Sequence, residues 1–149
     1  LCAGVSTNAA FRLINSALSV KSADESLSTV DLLQIDPSNG QARFFKAGAA
    51  VTLLCRNGRI REIGSGSSLP LGILQNTERA KESLQLADGD VILMMSDGAC
   101  AAGMEPIHSA LSAHAHRSAR EIAFAVCSAI RPQDEKSDDL SVVAIKIQK

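Results

Sequence analysis

The segment VTLLCRNGRIREI, residues 51–63, decides the fold because it contains two extended runs joined by an Asn-Gly pair. The runs at 51–55 and 60–63 are rich in aliphatic and β-branched residues, which favour strands. Asn57 and Gly58 both tolerate the positive φ angles that a two-residue hairpin turn requires. We therefore predict an antiparallel β-hairpin, and with it a sheet that contains antiparallel neighbours.

Further strands are predicted on both sides of this hairpin. Residues 30–35 and 42–47 form two extended runs, and the turn 36–40 between them contains Asp, Pro, Asn and Gly. This combination is typical of a second hairpin. Downstream, the apolar run 91–95 follows an Asp-Gly-Asp turn, and the run 140–147 is the last predicted strand.

Helices are predicted before and after the run of strands. Thr7 and Asn8 can cap a helix with apolar residues at helical spacing, namely Ala10, Leu13, Ile14, Ala17 and Leu18. Ser118 and Glu121 have the spacing of a capping box, which begins a second helix that Pro132 stops. The order helix, strands, helix, strand predicts an α+β fold with helices packed on the face of an antiparallel sheet.

Composition excludes several classes of function. The chain has 149 residues, which favours one domain, and its net charge is −1. Only 3% of its residues are aromatic, so neither the charge nor the stacking surface of a nucleic-acid-binding protein is present. No apolar run approaches the roughly 20 residues that span a bilayer. The four cysteines form no C-x-x-C pair and are expected to be reduced and mostly buried.

Acidic residues flank two of the predicted strands. Asp97 follows the strand at 91–95, and Asp138 and Asp139 precede the strand at 140–147. If these strands are antiparallel neighbours, the carboxylates lie together at one edge of the sheet, where they could bind Mg²⁺ or Mn²⁺. The alternative interpretation is structural, with Asp97-Gly98 as a turn and the Asp-Asp pair as a cap or solvated loop.

Three other groups are weaker candidates. His108, His114 and His116 could bind a metal, but a surface or helix-start role is favoured because no Cys or acidic partner stands at ligand spacing. Residues 65–68, Ser-Gly-Ser-Ser, could cradle phosphate, although the Lys and helix of a P-loop are missing. Cys100 lacks an obvious base, so it is a poor candidate nucleophile.

Six motifs together resemble one family. They are, in order, FRLINSAL at 11–18, STVDL at 28–32, KAGAA at 46–50, SLPLGI at 68–73, LMMSDG at 93–98 and DDLSVV at 138–143. This series resembles the phosphatase domain of the stage II sporulation protein E family. That family is the sporulation branch of the metal-dependent, protein phosphatase 2C-like serine/threonine phosphatases.

The resemblance implies a fold and a metal site. The expected fold is an antiparallel β-sandwich flanked by helices, and two Mn²⁺ or Mg²⁺ ions are expected at one end of it. Asp97 matches the ligand of the family's Ser-Asp-Gly motif, and Asp138 matches the ligand that precedes the last strand. Asp139 is placed beside the site, and Gly98 lets the backbone pass close to the metals. The expected substrate is a phosphorylated anti-sigma-factor antagonist.

The chain departs from the family pattern in two places. Gly48-Ala49 stands where many relatives have Gly-Asp, so a third ion is not expected. The family's first metal motif, Asp-Gly-x-Gly, is expected upstream of Leu1, so residues 1–149 are interpreted as the C-terminal part of the domain, inactive alone. Uncovered sheet edges could then favour a homodimer.

The alternative to a phosphatase is a non-catalytic interaction module with the same fold. The resemblance implies a cytoplasmic domain and leaves a membrane anchor elsewhere in the whole protein open.

Overall fold

The computed structural model describes residues 4–20, 27–64, 68–73, 80–130 and 139–148. Their helices and strands are, in chain order, α1 (Thr7–Val20), β1 (Val30–Ile35), β2 (Gln41–Ala47), β3 (Thr52–Arg56), β4 (Arg59–Ile63), β5 (Ala80–Gln85), β6 (Val91–Met95), α2 (Asp97–Ala101), α3 (Met104–His114), α4 (Ala119–Ala129) and β7 (Val142–Lys146). In these ranges no helix combines the length and apolar character needed to cross a membrane.

The strands form two antiparallel sheets. One has the order β1-β2-β5 and the other the order β4-β3-β6-β7. Both predicted hairpins are confirmed, as β1-β2 and β3-β4. The turn of the second has φ angles of 50° at Asn57 and 74° at Gly58, as the Asn-Gly pair predicts. β6 lies between β3 and β7, with Met95 opposite Val142.

Among the described residues, three apolar clusters lie between four layers of secondary structure. Phe11 of α1 packs with Ala47 on the outer face of the three-stranded sheet. Phe44, Leu54 and Ile92 lie between the two sheets. A third cluster joins the other face of the four-stranded sheet to the helices that follow β6, and its buried members include Leu53, Leu93, Ile107, Leu111, Ile122 and Val126. The predicted α+β sandwich flanked by helices is confirmed.

The predicted details of α1 are wrong in two respects. Ser6, not Thr7 or Asn8, precedes the helix, and its Oγ accepts a hydrogen bond from the Ala9 amide at 3.2 Å. The buried face carries Phe11 and Asn15, whereas Leu13 is 67% exposed. Phe11 determines which face of the helix is buried, because its ring packs against Phe45 on the sheet with 6.2 Å between the ring centroids.

Three elements were not predicted: β5, α2 and α3. β5 has the sequence AKESLQ and pairs with β2 at the edge of its sheet, where polar residues replace an apolar pattern. α3 contains Pro106 in its first turn, a position whose amide has no helical partner, so proline is tolerated there. The capping box at Ser118 and Glu121 is confirmed, and α4 ends at Ala129.

Candidate functional site at the ends of β6 and β7

Asp97 lies directly after β6, where the chain turns into α2. Ser96 is the N-cap of this helix, and its Oγ accepts a hydrogen bond from the Ala99 amide. Asp97 is the first helical residue, and its carboxylate is exposed. Asp97-Gly98 therefore begins a helix, and the alternative interpretation of this pair as a simple turn is wrong.

Ser96 connects this strand end to the segment that precedes β7. Its amide donates to the Ser141 carbonyl at 3.0 Å, and its Oγ accepts from the Ser141 amide at 3.0 Å. The same hydroxyl lies 3.2 Å from the Asp139 carbonyl oxygen, to which it donates. Asp97 and Asp139 are thus carried by backbone segments that one side chain holds together. Asp138, the other predicted ligand, lies outside the described residues.

The described residues fit part of a divalent-metal site. Asp97 and Asp139 are both exposed at this edge, and carboxylate oxygens are the ligands that Mg²⁺ and Mn²⁺ prefer. The amide of Gly98 donates to Asp97 Oδ1 at 3.0 Å, which orients the carboxylate. Within the described part of the chain, no group of three His, Cys, Asp or Glu residues is arranged to hold an ion. The described residues therefore do not by themselves bring three such ligands together.

A polar cluster lies between the two sheets and consists of Asp31 (β1), Lys46 (β2) and Thr52 (β3). Lys46 Nζ donates to Asp31 Oδ2 at 2.6 Å and to the Ala50 carbonyl at 2.5 Å. Thr52 Oγ1 donates to the same Asp31 oxygen at 3.0 Å. The Lys46 side chain is 1% exposed and that of Asp31 is 14% exposed. The ion pair joins β1 to β2 within the three-stranded sheet, and the hydrogen bond from Thr52 connects this pair to β3 of the other sheet.

This polar cluster and Asp97 lie at the same end of the sandwich. Thr52 begins β3, and β3 runs antiparallel to β6, so the start of β3 adjoins the end of β6 that leads to Asp97. Burial raises the pKa of the Cys100 thiol on α2. The charge of Lys46 opposes this change, while the charge of Asp97 adds to it. Both charged groups thus act on one thiol.

The backbone beside Lys46 leaves room only for glycine. Gly64 follows β4 with φ of +67°, and a Cβ there would lie 2.4 Å from Lys46 Cδ. Gly48 has φ of +62°, and a Cβ there would lie 2.8 Å from the Pro70 backbone nitrogen. Close packing therefore fixes the path of the chain on both sides of the polar cluster.

Sequence reasoning missed the polar cluster, although a signal was present. Ala42, Phe44 and Lys46 alternate along β2 on the face that looks toward the other sheet, so Lys46 occupies a core position. A lysine in such a pattern requires a buried anionic partner. Asp31 is directly opposite it in the register of β1 and β2.

The weaker candidates do not form a site among the described residues. His108 and His114 both belong to α3, and the Nδ1 of His114 is 3.0 Å from the Ala110 carbonyl oxygen. Cys100 has a raised pKa, which opposes thiolate formation. Residues 65–67 of the Ser-Gly-Ser-Ser segment lie outside the described residues, and the Gly48 amide donates to the carbonyl of Ser68 at 3.0 Å.

Comparison with solved structures identifies the class of fold. The chain superposes on the PP2C phosphatase domain and regulatory fragment of SpoIIE from Bacillus subtilis with a TM-score of 0.79 and 28% identity, covering 97% of this chain and 45% of that one. The Mn-presoaked phosphatase domain of the same protein gives a TM-score of 0.71 at 25% identity, with 99% and 69% covered. The fold is that of a PP2C phosphatase domain.

The sequence identifies the family within this class. Residues 3–148 match the profile described as Stage II sporulation protein E (SpoIIE), and the chain belongs to that family. Stage II sporulation protein E of Bacillus subtilis (strain 168) is 36% identical over 95 residues, which are 64% of this chain and 11% of that protein. The chain thus spans a small part of this curated relative. The family predicted from the six motifs is confirmed.

Proposed function

We propose that this chain forms part of a Mn²⁺- or Mg²⁺-dependent protein serine/threonine phosphatase. The observation that carries the proposal is the Ser96 connection, because it brings the Asp97 segment beside the Asp139 segment at the ends of β6 and β7. Family membership and the PP2C fold support the same activity.

The proposal assigns a role to each acidic residue and to Gly98. Asp97 and Asp138 bind the metal, Asp139 lies beside them, and Gly98 orients the Asp97 carboxylate through its amide. A bound divalent ion supplies a water of lowered pKa and neutralises charge on phosphoryl oxygens. Two ions are expected rather than three, because Gly48-Ala49 carries no carboxylate for a third.

The proposed substrate is a protein that carries phosphoserine or phosphothreonine. A phosphorylated anti-sigma-factor antagonist is the specific proposal, and it rests on membership of a sporulation family. We further propose that residues 1–149 are the C-terminal part of the catalytic domain, with the remaining ligands supplied by an upstream Asp-Gly-x-Gly segment. The chain covers 69% of the B. subtilis phosphatase domain, which is consistent with this division.

Substitution of Asp97 by Asn in the full-length protein tests the proposal. The variant removes an anionic ligand and keeps the shape of the side chain, so most phosphatase activity should be lost. Hydrolysis of a phosphoserine peptide is measured across a titration of Mn²⁺. Asp88→Asn is the matched control, because Asp88 is exposed in the turn at the opposite end of β6.

The outcomes separate the proposal from its alternative. Loss of activity in Asp97→Asn but not in Asp88→Asn supports a ligand role for Asp97. Equal turnover and equal Mn²⁺ dependence in wild type and Asp97→Asn would refute it. An inactive wild-type full-length protein would favour a non-catalytic interaction module.

A further inference from the structure

An open pocket lies on the outer helical layer, at the turn between α3 and α4. It has a volume of about 470 Å³ and is lined by His114, Arg117, Arg120, Glu121, Phe124 and Ala125. We call this surface the α3–α4 pocket. The Phe124 ring is 69% exposed, which is unusual for a large apolar side chain. The pocket therefore combines an exposed aromatic ring with basic groups.

The fold does not use these basic side chains to build the turn. Lys146 of β7 donates to the Ala115 carbonyl at 3.1 Å and to the Arg117 carbonyl at 2.7 Å. The Arg117 amide donates to the His114 carbonyl at 2.8 Å. In the described part of the chain, the guanidinium groups of Arg117 and Arg120 form no ion pair with a carboxylate. Hydrogen bonds from Lys146 and from the backbone thus hold the turn, and among the described residues its guanidinium groups have no carboxylate partner in an ion pair.

The acidic residue that lines this pocket is already engaged. Glu121 accepts hydrogen bonds from the amide and hydroxyl of Ser118 at 3.0 and 2.7 Å, as part of the capping box. Arg120 and Phe124 stand four residues apart on α4, so they share one face of the helix. An anionic group and an apolar side chain could therefore contact this face together.

A second pocket provides a comparison, because two of its arginines form ion pairs within the fold. It lies at the β3–β4 hairpin, and its lining includes Arg56 and Arg61. Arg56 pairs with Asp90 at 2.6 Å and Arg61 pairs with Glu82 at 2.9 Å. Two of the three arginines in this lining are thus paired within the fold, and Arg59 is the third, whereas neither arginine of the α3–α4 pocket forms an ion pair with a described carboxylate.

We propose that the α3–α4 pocket docks an acidic segment of a partner protein, with an aromatic or aliphatic side chain of that segment packed on Phe124. Arg117 and Arg120 bind its carboxylates, since guanidinium groups match carboxylates in geometry and charge. A concave pocket with one aromatic anchor fits a peptide. A membrane or a nucleic acid requires a broader basic surface, and this chain has a net charge of −1.

The docking surface is remote from the proposed metal site. Lys146, which holds the turn, ends β7, whereas Val142 begins it beside the end of β6. Val142 and Lys146 are four residue steps apart along the strand, which corresponds to about 13 Å. The proposal therefore goes beyond the phosphatase function and does not depend on it.

Fluorescence anisotropy with the full-length protein tests the proposal. The probe is a short fluorescein-labelled peptide of Asp and Glu with one central Phe and no phosphate group. The double variant Arg117→Glu/Arg120→Glu should bind at least about tenfold more weakly, a change of about 1.4 kcal/mol. Phe124→Ala should weaken binding by about threefold, because part of the apolar contact is lost.

A matched control separates local from overall charge. Arg12→Glu/Lys81→Glu makes the same change in net charge at exposed positions on α1 and β5, and it should bind within about twofold of wild type. Activity on a small phosphate ester should be equal in wild type and in Arg117→Glu/Arg120→Glu. This second measurement distinguishes failure of docking from failure of the proposed metal site.

Several results would overturn the docking proposal. One is equal peptide binding by wild type and Arg117→Glu/Arg120→Glu when both have the same thermal midpoint. Another is an equal loss in the control double variant, which would indicate a non-specific charge effect. No binding by wild type would mean that another part of the protein covers the pocket, and tighter binding to anionic vesicles or to nucleic acid would assign a different partner.

Discussion

Replacement of Lys46 by Met should destabilise the protein strongly, because it removes one partner of a buried ion pair. The Lys46 side chain is 1% exposed, and its Nζ lies 2.6 Å from Asp31 Oδ2. Met has nearly the same length and volume as the lysine stem, so the substitution leaves little cavity. What remains is the Asp31 carboxylate, whose Oδ2 still accepts a hydrogen bond from the Thr52 hydroxyl at 3.0 Å.

The magnitude follows from the burial of the two groups. Removal of one partner of a buried pair costs about 3–5 kcal/mol, because an uncompensated charge stays in the interior. Thr52 still donates to Asp31 Oδ2, and the Asp31 side chain is 14% exposed, so the lower end of this range applies. We expect Lys46→Met to lose about 3 kcal/mol, a large share of the roughly 5–15 kcal/mol that stabilises a typical domain.

A double-mutant cycle separates the ion pair from ordinary packing. Asp31→Asn alone leaves the Lys46 ammonium with the Ala50 carbonyl as its neutral acceptor, and it should also be destabilising. The double variant Lys46→Met/Asp31→Asn contains neither charge and keeps an amide to accept from Thr52. It should therefore be more stable than the sum of the single changes predicts, with a coupling of about 2 kcal/mol.

Urea unfolding followed by circular dichroism measures these changes. With a slope of about 1.5 kcal/mol per molar urea, Lys46→Met should lower the midpoint by about 2 M. Lys81→Met on β5 is the control, because Lys81 is exposed and its substitution should change stability by less than about 0.5 kcal/mol. A midpoint shift for Lys46→Met as small as that of the control, or strict additivity in the cycle, would refute the reasoning.

Four further predictions can be tested on the same protein. Gly64→Ala should destabilise the protein by about 1–2 kcal/mol because of its positive φ, and further because the new Cβ would contact the Lys46 stem. Gly58 has φ of +74° and open space around it, so Gly58→Ala should show only the φ effect. Urea unfolding measures both variants. Ser118→Ala should cost about 1 kcal/mol by loss of the N-cap. Hydrogen bonds from Ser118 lower the pKa of Glu121. The difference in unfolding free energy between wild type and Glu121→Gln should therefore be full above the usual Glu pKa of about 4.3, and it should vanish as the pH falls through the lower pKa of the folded state. A difference that grows on acidification would contradict this sign. Residues 1–149 alone should show no appreciable phosphatase activity with Mn²⁺, whereas a chain extended upstream by about 40–60 residues should be active, and full activity of the short form would contradict the proposed division of the site.

The strands whose pattern is local were predictable from the sequence. β3 and β4 depend on the Asn57-Gly58 turn and on apolar residues within the same segment, so nothing distant is needed to specify them. β5 and α3 depend instead on their neighbours. β5 is polar and becomes a strand by pairing with β2, and α3 buries Ile107 and Leu111 against the sheet although Pro106 is in its first turn.

The same distinction applies to the two groups of polar residues at the end of the sandwich. Asp97 could be proposed as a ligand because an apolar strand and a Ser-Asp-Gly motif are continuous in the chain. The contact between Asp31 and Lys46 spans 15 residues, and that between Asp31 and Thr52 spans 21 and crosses from one sheet to the other. Such a contact requires the register of β1 and β2 and the packing of the two sheets before it can be recognised. The Thr52–Asp31 hydrogen bond joins the two sheets at the end that also carries Asp97, and Lys46 pairs with the same Asp31 oxygen. A change at Lys46 should therefore alter the stability of that end even though the side chain is not a proposed metal ligand.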